Sequence, residues 1–367
     1  MSAAADTRWM RLALALGRRN QGRCWPNPAV GCVIVQDNRV VGRGWTQVGG
    51  RPHAETEALR QAGRAAIGAT AYVTLEPCSH VGKTPPCTNQ LLLAGIKRVV
   101  ASIADCDSRV AGRGFEALRV AGIDVTTGVC ETEARRDHNG FFLKTEQLRP
   151  HVTLKFASSF DGRTATATGE SKWITQPLAR RFVHAMRARH DAVMVGGGTA
   201  RIDDPCLTVR NLGVQHQPIR IIVSRQIDVP LFGQLARTAR DVPVWMMHGK
   251  DIDPQRRTAW KEVGAELIQC EQRDSQLCPL NLLNALAKRG ITRVLCEGGQ
   301  SLAASLLAVD LVDEIVGFFS GLAIGSEGLP SIGRMHTQCL EDACRFSLYD
   351  VSTFGEDVMC KWVRRNG

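Results

Sequence analysis

The chain has 367 residues, enough for two ordinary domains, and with 44% hydrophobic and 22% charged residues its composition excludes a disordered or collagen-like polypeptide. Lys and Arg number 46 against 36 Asp and Glu, and the formal charge of +10 suits an acidic partner: nucleic acid, anionic lipid or a phosphorylated small molecule. The 13 cysteines, scattered from Cys24 to Cys360, exclude a small disulfide scaffold and point to thiols in a reducing compartment, some available for metal.

Periodicity predicts a helix over 6–18, where Trp9, Leu12, Ala13 and Leu16 recur at helical spacing. Asp6 and Arg8 precede this short apolar stretch and no small-residue cleavage site follows, so an export signal is not expected. Strands are expected at Ala29–Gln36 and Val40–Trp45, joined by a turn at Asp37-Asn38. A helix over His53–Gln61 and a buried strand over Ala69–Leu75 follow. Leu91–Gly95 closes another helix, Lys97–Ile103 reads as a strand, Gly114–Val120 as a helix and Ile123–Thr127 as a strand. This alternation argues for a sheet covered by helices on both faces.

A new pattern starts near Gln147-Leu148-Arg149-Pro150, which divides the chain into 1–149 and 150–367 with no long Gly/Ser linker. Strands are expected at Val152–Ala157, Ala192–Gly196, Ile219–Ser224, Val242–Met247, Arg293–Cys296 and near Glu314–Phe319. Helices are expected at Gln176–Arg189, Leu280–Arg289 and Ser301–Ala308. The second domain is therefore also α/β. No apolar run reaches about 18 residues, so no membrane span is expected. The expectation is a soluble cytoplasmic protein.

The strongest chemical signal is His53-Ala54-Glu55 followed by Pro77-Cys78 and Pro86-Cys87. One imidazole and two thiolates supply three ligands to a tetrahedral zinc and leave the fourth position for water, the arrangement of a catalytic site. Zinc lowers the pKa of such a water to about 7. Glu55, two residues from His53, is placed to move protons. The order matches the His-x-Glu…Pro-Cys-x-x-Cys signature of zinc deaminases, except that eight residues separate the cysteines instead of two. A proline before each cysteine suits a turn at a helix start, where the dipole favours thiolate. The intervening loop carries His80 and Lys83, either solvated or in contact with an anionic substrate group. Asn27, between Pro26 and Pro28, is either a turn residue or a donor and acceptor for a heterocycle edge.

These runs, Pro26–Val35, His53-Ala54-Glu55, and Thr74-Leu75-Glu76-Pro77-Cys78-Ser79-His80 with Thr84-Pro85-Pro86-Cys87, resemble the bifunctional riboflavin-biosynthesis pyrimidine deaminase/reductase family. The resemblance continues through Lys155–Arg163, Gly169–Thr175, Val195–Thr199, Asp203–Arg210 and Cys296–Leu302 and covers nearly the whole chain. It implies a cytidine-deaminase-like three-layer α/β/α domain over 1–149 and a dihydrofolate-reductase-like α/β domain over 150–367. It implies zinc on His53, Cys78 and Cys87, with Glu55 as the proton shuttle. NADPH would be held by Ala157, Trp173, Thr199, Asp203, Ser224 and the run Gly299, Gln300, Ser301, Leu302, Ala303, Ala304 and Ser305. The residues themselves make Asn27, His80 and Lys83 the candidate substrate contacts of the first domain, and the resemblance adds Lys155, Ser171, Arg187, Leu207, Arg210 and Glu297 in the second. A phosphorylated ribosylaminopyrimidine is the implied substrate, with no nucleic-acid or membrane partner, and a homo-oligomer is expected.

Read without the resemblance, the glycine clusters are tight turns, Trp173 is packing, and Arg187 and Arg210 are surface charges. The chain departs from the family pattern at Asp105-Cys106-Asp107-Ser108-Arg109, where prolines usually stiffen a turn, and at Asp137-His138, where Leu-Asn is usual. A deaminase acting on nucleic acid fits the zinc core equally well. The 5% aromatic content, the lack of an aromatic-rich basic stripe and the second α/β domain count against it. A zinc-stapled binding protein is the non-enzymatic alternative and would close the fourth ligand position.

Overall fold

The computed structural model describes residues 2–80, 85–107, 111–273 and 276–365. The chain divides into two compact units, Met1–Leu148 and Arg149–Gly367.

The first unit runs α1 (Ala3–Gly17), β1 (Gly31–Gln36), β2 (Arg39–Trp45), α2 (Ala54–Ala62), β3 (Thr70–Val73), α3 (Cys87–Leu93), β4 (Arg98–Ala101), α4 (Arg113–Val120), β5 (Asp124–Thr126) and α5 (Glu131–Gln147). Its sheet has the order β2-β1-β3-β4-β5, with β1 antiparallel to both neighbours and β3, β4 and β5 parallel. Asp37 and Asn38 turn the first hairpin at φ 48° and 59°, left-handed values that short Asx side chains tolerate.

Glycines let helices seat directly on the strands. A Cβ added at Gly31 would lie 1.8 Å from the Ala13 carbonyl of α1, and one at Gly44 would lie 2.0 Å from the Ala54 carbonyl of α2. Gly44 pairs with Cys32, the residue after Gly31. Successive strand residues face opposite ways, so α1 and α2 cover opposite faces. β1 is buried on both sides in consequence, which explains its unbroken apolar run Cys32–Val35.

The sequence pattern did not anticipate α5. Its buried side mixes His138 and Gly140 with Ala134, Phe142 and Leu143, which breaks the apolar periodicity. The departure at Asp137-His138 is absorbed by local contacts: Asp137 accepts from Arg18 Nε at 2.7 Å, and His138 Nε2 lies 3.1 Å from Thr74 Oγ1.

The second unit begins with β6 (His151–Ser159), β7 (Arg163–Ala165), α6 (Pro177–Ala188), β8 (Ala192–Gly196), α7 (Gly197–Asp203), β9 (Ile219–Val223), α8 (Gln234–Arg237) and β10 (Val244–His248). It continues with α9 (Pro254–Glu262), β11 (Glu266–Gln269), β12 (Gln272–Arg273), β13 (Gln276–Leu277) and α10 (Pro279–Lys288). It ends with β14 (Arg293–Gly298), α11 (Gln300–Leu307), β15 (Glu314–Ser320), β16 (Leu329–Pro330), β17 (Phe346–Phe354) and β18 (Asp357–Arg364).

A nine-stranded sheet has the order β11-β10-β9-β8-β14-β6-β15-β18-β17. Its first seven strands are parallel, and β18 and β17 close it as an antiparallel pair. Parallel strands are buried on both faces, and β8 and β10 read accordingly as apolar runs. The expectations stopped short of α9, β11, β17 and β18. β17 is exposed through Leu348–Val351, so no core periodicity marks it.

Candidate functional site

In the first unit, β3 stops at Val73 because Thr74 turns to bond Gly31 through both its N–H and its hydroxyl, each at 3.1 Å. The chain then passes Glu76, which is buried. Its carboxylate accepts from the amides of Asp105 at 3.1 Å, Gly112 at 2.9 Å and Gly114 at 2.8 Å. This fixes the following Pro77-Cys78 against the start of α4. In the departure that begins at Asp105, the Asp107 amide donates to the Asp105 carboxylate at 2.8 Å, a side-chain turn in place of the missing prolines. Ser108 and Arg109 lie outside the described residues.

His53 stands immediately before α2 and Cys87 is the first residue of α3. His53 Nδ1 lies 3.3 Å from Cys87 Sγ and 3.7 Å from Cys78 Sγ, and all three donor atoms fall within 4.8 Å of one another. Zinc bond lengths in a tetrahedron imply nitrogen–sulfur separations of about 3.5 Å. The donor set therefore fits the metal without rearrangement.

Only one of the two Pro-Cys steps opens a helix. Cys78 sits in the loop after β3, yet it is the more acidic thiol. Hydrogen bonds from the Cys87 thiol, His53 and the Cys87 amide (3.4 Å) overcome its burial and draw it down to about 4. Cys87, which gives its proton to Cys78, is pushed up by that bond and by burial.

Glu55 is buried in the first turn of α2 beside the three donors. Burial raises its carboxyl above the usual range, with His53 opposing the shift. The sequence pattern missed its neighbour Cys32, whose thiol is fully buried and is pushed up by burial and by the charge of Glu55. Asn27 donates from Nδ2 to the Gly50 carbonyl at 3.2 Å, and its Oδ1 has no donor among the described residues. His80 is half-buried, with an enclosed Nδ1 that has no partner among the described residues. Lys83 lies outside the described residues.

In the second unit, the carboxyl ends of β6, β8, β9 and β14 open on a cavity of about 940 Å³. Clefts at the carboxyl ends of parallel strands are the usual ligand sites of α/β sheets. The cavity takes in Lys155, Ala157, Ser171, Trp173, Arg187, Thr199, Asp203, Leu207, Arg210, Glu297, Gly299–Ala303 and Ser305. Ser224 and Ala304 are not among its lining residues: both are buried, and Ser224 Oγ instead donates to Asp228 at 2.8 Å.

At the cavity's centre, Glu297 from β14 and Lys155 from β6 stand on neighbouring strands. Arg187 of α6 holds Glu297 with two contacts of 2.5 and 2.7 Å and donates a third bond to the Thr208 carbonyl at 2.9 Å. Burial alone would raise the Glu297 carboxyl, but Arg187 and Lys155 hold it below the ordinary carboxylate value. Burial draws the Lys155 ammonium below the ordinary lysine value, with Glu297 opposing. No hydrogen bond occupies Lys155 Nζ among the described residues.

Two bland expectations fail here, those for Arg187 and Trp173, while the glycines do turn the chain. Arg187 is a mostly enclosed ion-pair partner, not a surface charge. Trp173 is 70% exposed in the cavity, with the Arg180 guanidinium 4.5 Å above its ring, so it is not core packing. The glycine cluster after β8 opens α7, and Gly298 and Gly299 take φ 116° and 80° before α11, values that only glycine adopts readily. His184 and Arg225 also reach the cavity; neither stood in a recognisable motif.

The RibD C-terminal domain model matches residues 150–360, and the cytidine and deoxycytidylate deaminase zinc-binding region matches residues 3–103. The riboflavin biosynthesis protein RibD of Aquifex aeolicus is 40% identical over 354 residues, covering 96% of this chain and 97% of that protein. The chain belongs to the RibD family. RibD of Escherichia coli is also 40% identical, covering 96% of this chain and 98% of that protein. Among solved RibD-family structures, one from Acinetobacter baumannii covers 100% of both chains with TM-score 0.87 at 38% identity. A diaminohydroxyphosphoribosylaminopyrimidine deaminase/5-amino-6-(5-phosphoribosylamino)uracil reductase from Thermotoga maritima covers 99% of both with TM-score 0.86 at 32% identity. The two units accordingly have the cytidine-deaminase-like and dihydrofolate-reductase-like folds of RibD.

Proposed function

We propose that this RibD-family chain is a bifunctional enzyme of riboflavin biosynthesis. Its first unit deaminates 2,5-diamino-6-(5-phosphoribosylamino)pyrimidin-4-one, and its second reduces the ribosyl side chain of the product to ribityl. The observation that carries this reading is one chain bearing both a His-Cys-Cys donor set beside a buried carboxyl and a separate cavity built on an Arg-Glu-Lys cluster.

In the first unit His53, Cys78 and Cys87 hold zinc, which when bound supplies the Lewis acidity that makes water nucleophilic near neutral pH. Glu55 takes the proton from the attacking water and returns protons to the ring nitrogen and the departing amine, so that ring C–NH₂ and water become ring C=O and ammonia. Its burial suits it to both roles, because a raised carboxyl pKa lets it hold the proton between the two transfers. The Asn27 side-chain oxygen faces the heterocycle edge, and His80 contacts the substrate.

In the second unit the glycine-bearing ends of β8 and β14, with Ala157, Trp173, Thr199 and Asp203, hold NADPH, which supplies the hydride. Lys155 and Glu297 bracket the ribosyl carbon, and Lys155 holds a proton for the sugar oxygen released on ring opening. Arg187 is committed to Glu297 and Thr208, so the substrate phosphate falls to Arg210, whose guanidinium is exposed and without a partner among the described residues. None of the 13 cysteines is in a disulfide, which supports a reducing compartment such as the cytoplasm. Exposed Leu348, Tyr349 and Val351 on edge strand β17 support self-association.

The test is an incubation with the pyrimidine phosphate that follows ammonia release and NADPH consumption separately. Ammonia without NADPH, and a further NADPH-dependent step on the deaminated product, are the expected results. NADPH oxidation before deamination, or no ammonia from zinc-loaded enzyme, would overturn the assignment.

A further inference from the structure

The cavity of the second unit extends beyond the Lys155–Glu297 centre to the carboxyl end of β9, where Val223 and Arg225 line it. Strand order β9-β8-β14-β6 puts three inter-strand steps between Arg225 and Lys155, about 14 Å at the usual strand spacing. A ligand filling that length is elongated and crosses the glycine-bearing strand ends of β8 and β14 between the two.

The charges at the β9 end are distributed unequally. Asp228 is the acid there, and it is already satisfied: Arg201 donates to it at 2.7 Å and Ser224 Oγ at 2.8 Å. Arg225 is exposed, reaches the cavity, and has no carboxylate or hydrogen-bond partner for its guanidinium among the described residues. Its stem passes close to Gly249, where an added Cβ would lie 3.3 Å from Arg225 Cγ, so the glycine leaves the stem room. The backbone there is pinned, because the Gly249 amide donates to the Arg225 carbonyl at 3.0 Å. A guanidinium with no partner among the described residues, on a pinned backbone at one end of an elongated cleft where the local acid is neutralised by another arginine, can act as a phosphate fork.

We propose that Arg225 selects the cofactor, binding the phosphate on the adenosine 2′-oxygen and thereby favouring NADPH over NADH. The inference rests on the reading of this unit as a nicotinamide-dependent reductase. Ser224 serves it indirectly, by binding Asp228 and keeping that carboxylate off the incoming phosphate.

The test is equilibrium binding by calorimetry, using NADP⁺, NAD⁺ and adenosine 2′,5′-bisphosphate with the full chain. Arg225→Gln should weaken NADP⁺ and the bisphosphate roughly 10- to 100-fold and leave NAD⁺ within about two-fold. Arg225→Lys should recover part of the loss, because a point charge lacks the bidentate fork. Lys250→Gln, the loss of a neighbouring exposed charge that does not line the cavity, should leave the NADP⁺ to NAD⁺ ratio unchanged. Equal losses for both dinucleotides in Arg225→Gln, or an equal effect from Lys250→Gln, would overturn the assignment. If the unsubstituted chain binds neither dinucleotide, the reductase reading itself fails and takes the inference with it.

Discussion

His190 gives the second unit a pH-dependent stability that can be worked out in advance. It follows α6, the helix that carries Arg187 and His184, and its ring is buried. Nδ1 donates to the Met186 carbonyl at 2.7 Å and Nε2 lies 3.1 Å from Thr153 Oγ1 on β6, so the neutral ring is fully bonded. Burial, with the charge of Arg293 adding to it, draws the pKa down to about 3. The unfolded chain takes up the proton near pH 6.5, whereas the folded chain resists it. The stabilisation is therefore complete above pH 6.5 and is lost as pH falls toward 3. Integrated from pH 7 to 4.5, the single site removes about 2.6 kcal/mol.

The perturbation is His190→Gln, which removes the titration. The assay is urea unfolding of the full chain at both pH values, read by tryptophan fluorescence, since Trp245 and Trp260 are buried in this unit. The variant should lose about 2.6 kcal/mol less than the unsubstituted chain on acidification. His151 is also buried with a depressed pKa, but it is present in both proteins and cancels. Equal pH dependence in the two would refute a neutral, buried His190.

Four other outcomes follow from the two sites. Glu55→Gln leaves all three donor atoms in place, so zinc stoichiometry should be unchanged while ammonia release falls about 10²- to 10⁴-fold. Cys87→Ser should lose zinc and deamination together, yet leave NADPH oxidation on the deaminated product intact, because the reductase cavity lies wholly within the other unit. Arg187→Met removes the hydrogen-bonded partner of Glu297, leaving only the Lys155 ammonium beside a mostly enclosed carboxylate, and should cost about 1–3 kcal/mol in urea unfolding as well as reductase activity. Arg210→Gln removes an exposed charge and should raise substrate KM with stability changed by less than about 0.5 kcal/mol.

The deaminase donor set was legible because its chemistry lies in residue identity and order: His-x-Glu and two Pro-Cys steps fall within 35 residues, from His53 to Cys87. The acidity of each thiol was not legible, since it depends on Cys87 donating to Cys78 across a loop. In the reductase cavity the residues were recognisable but their tasks were not. Nothing local to Arg187 signals that the fold brings Glu297, 110 positions away, against its guanidinium. Arg225 stood in no motif at all and becomes visible only as a cation without a partner at the end of β9.

Length allowed two domains and the +10 charge admitted acidic partners without choosing among them, while residue order put the zinc-ligand pattern in the first domain. Apolar periodicity revealed the buried strands but missed α5, whose buried face carries His138 and Gly140, and β17, whose middle faces solvent. Tertiary structure decided which charges are spent on one another and which remain for ligands. Pairing is set by distance between distant segments, and no local pattern in the chain encodes that distance.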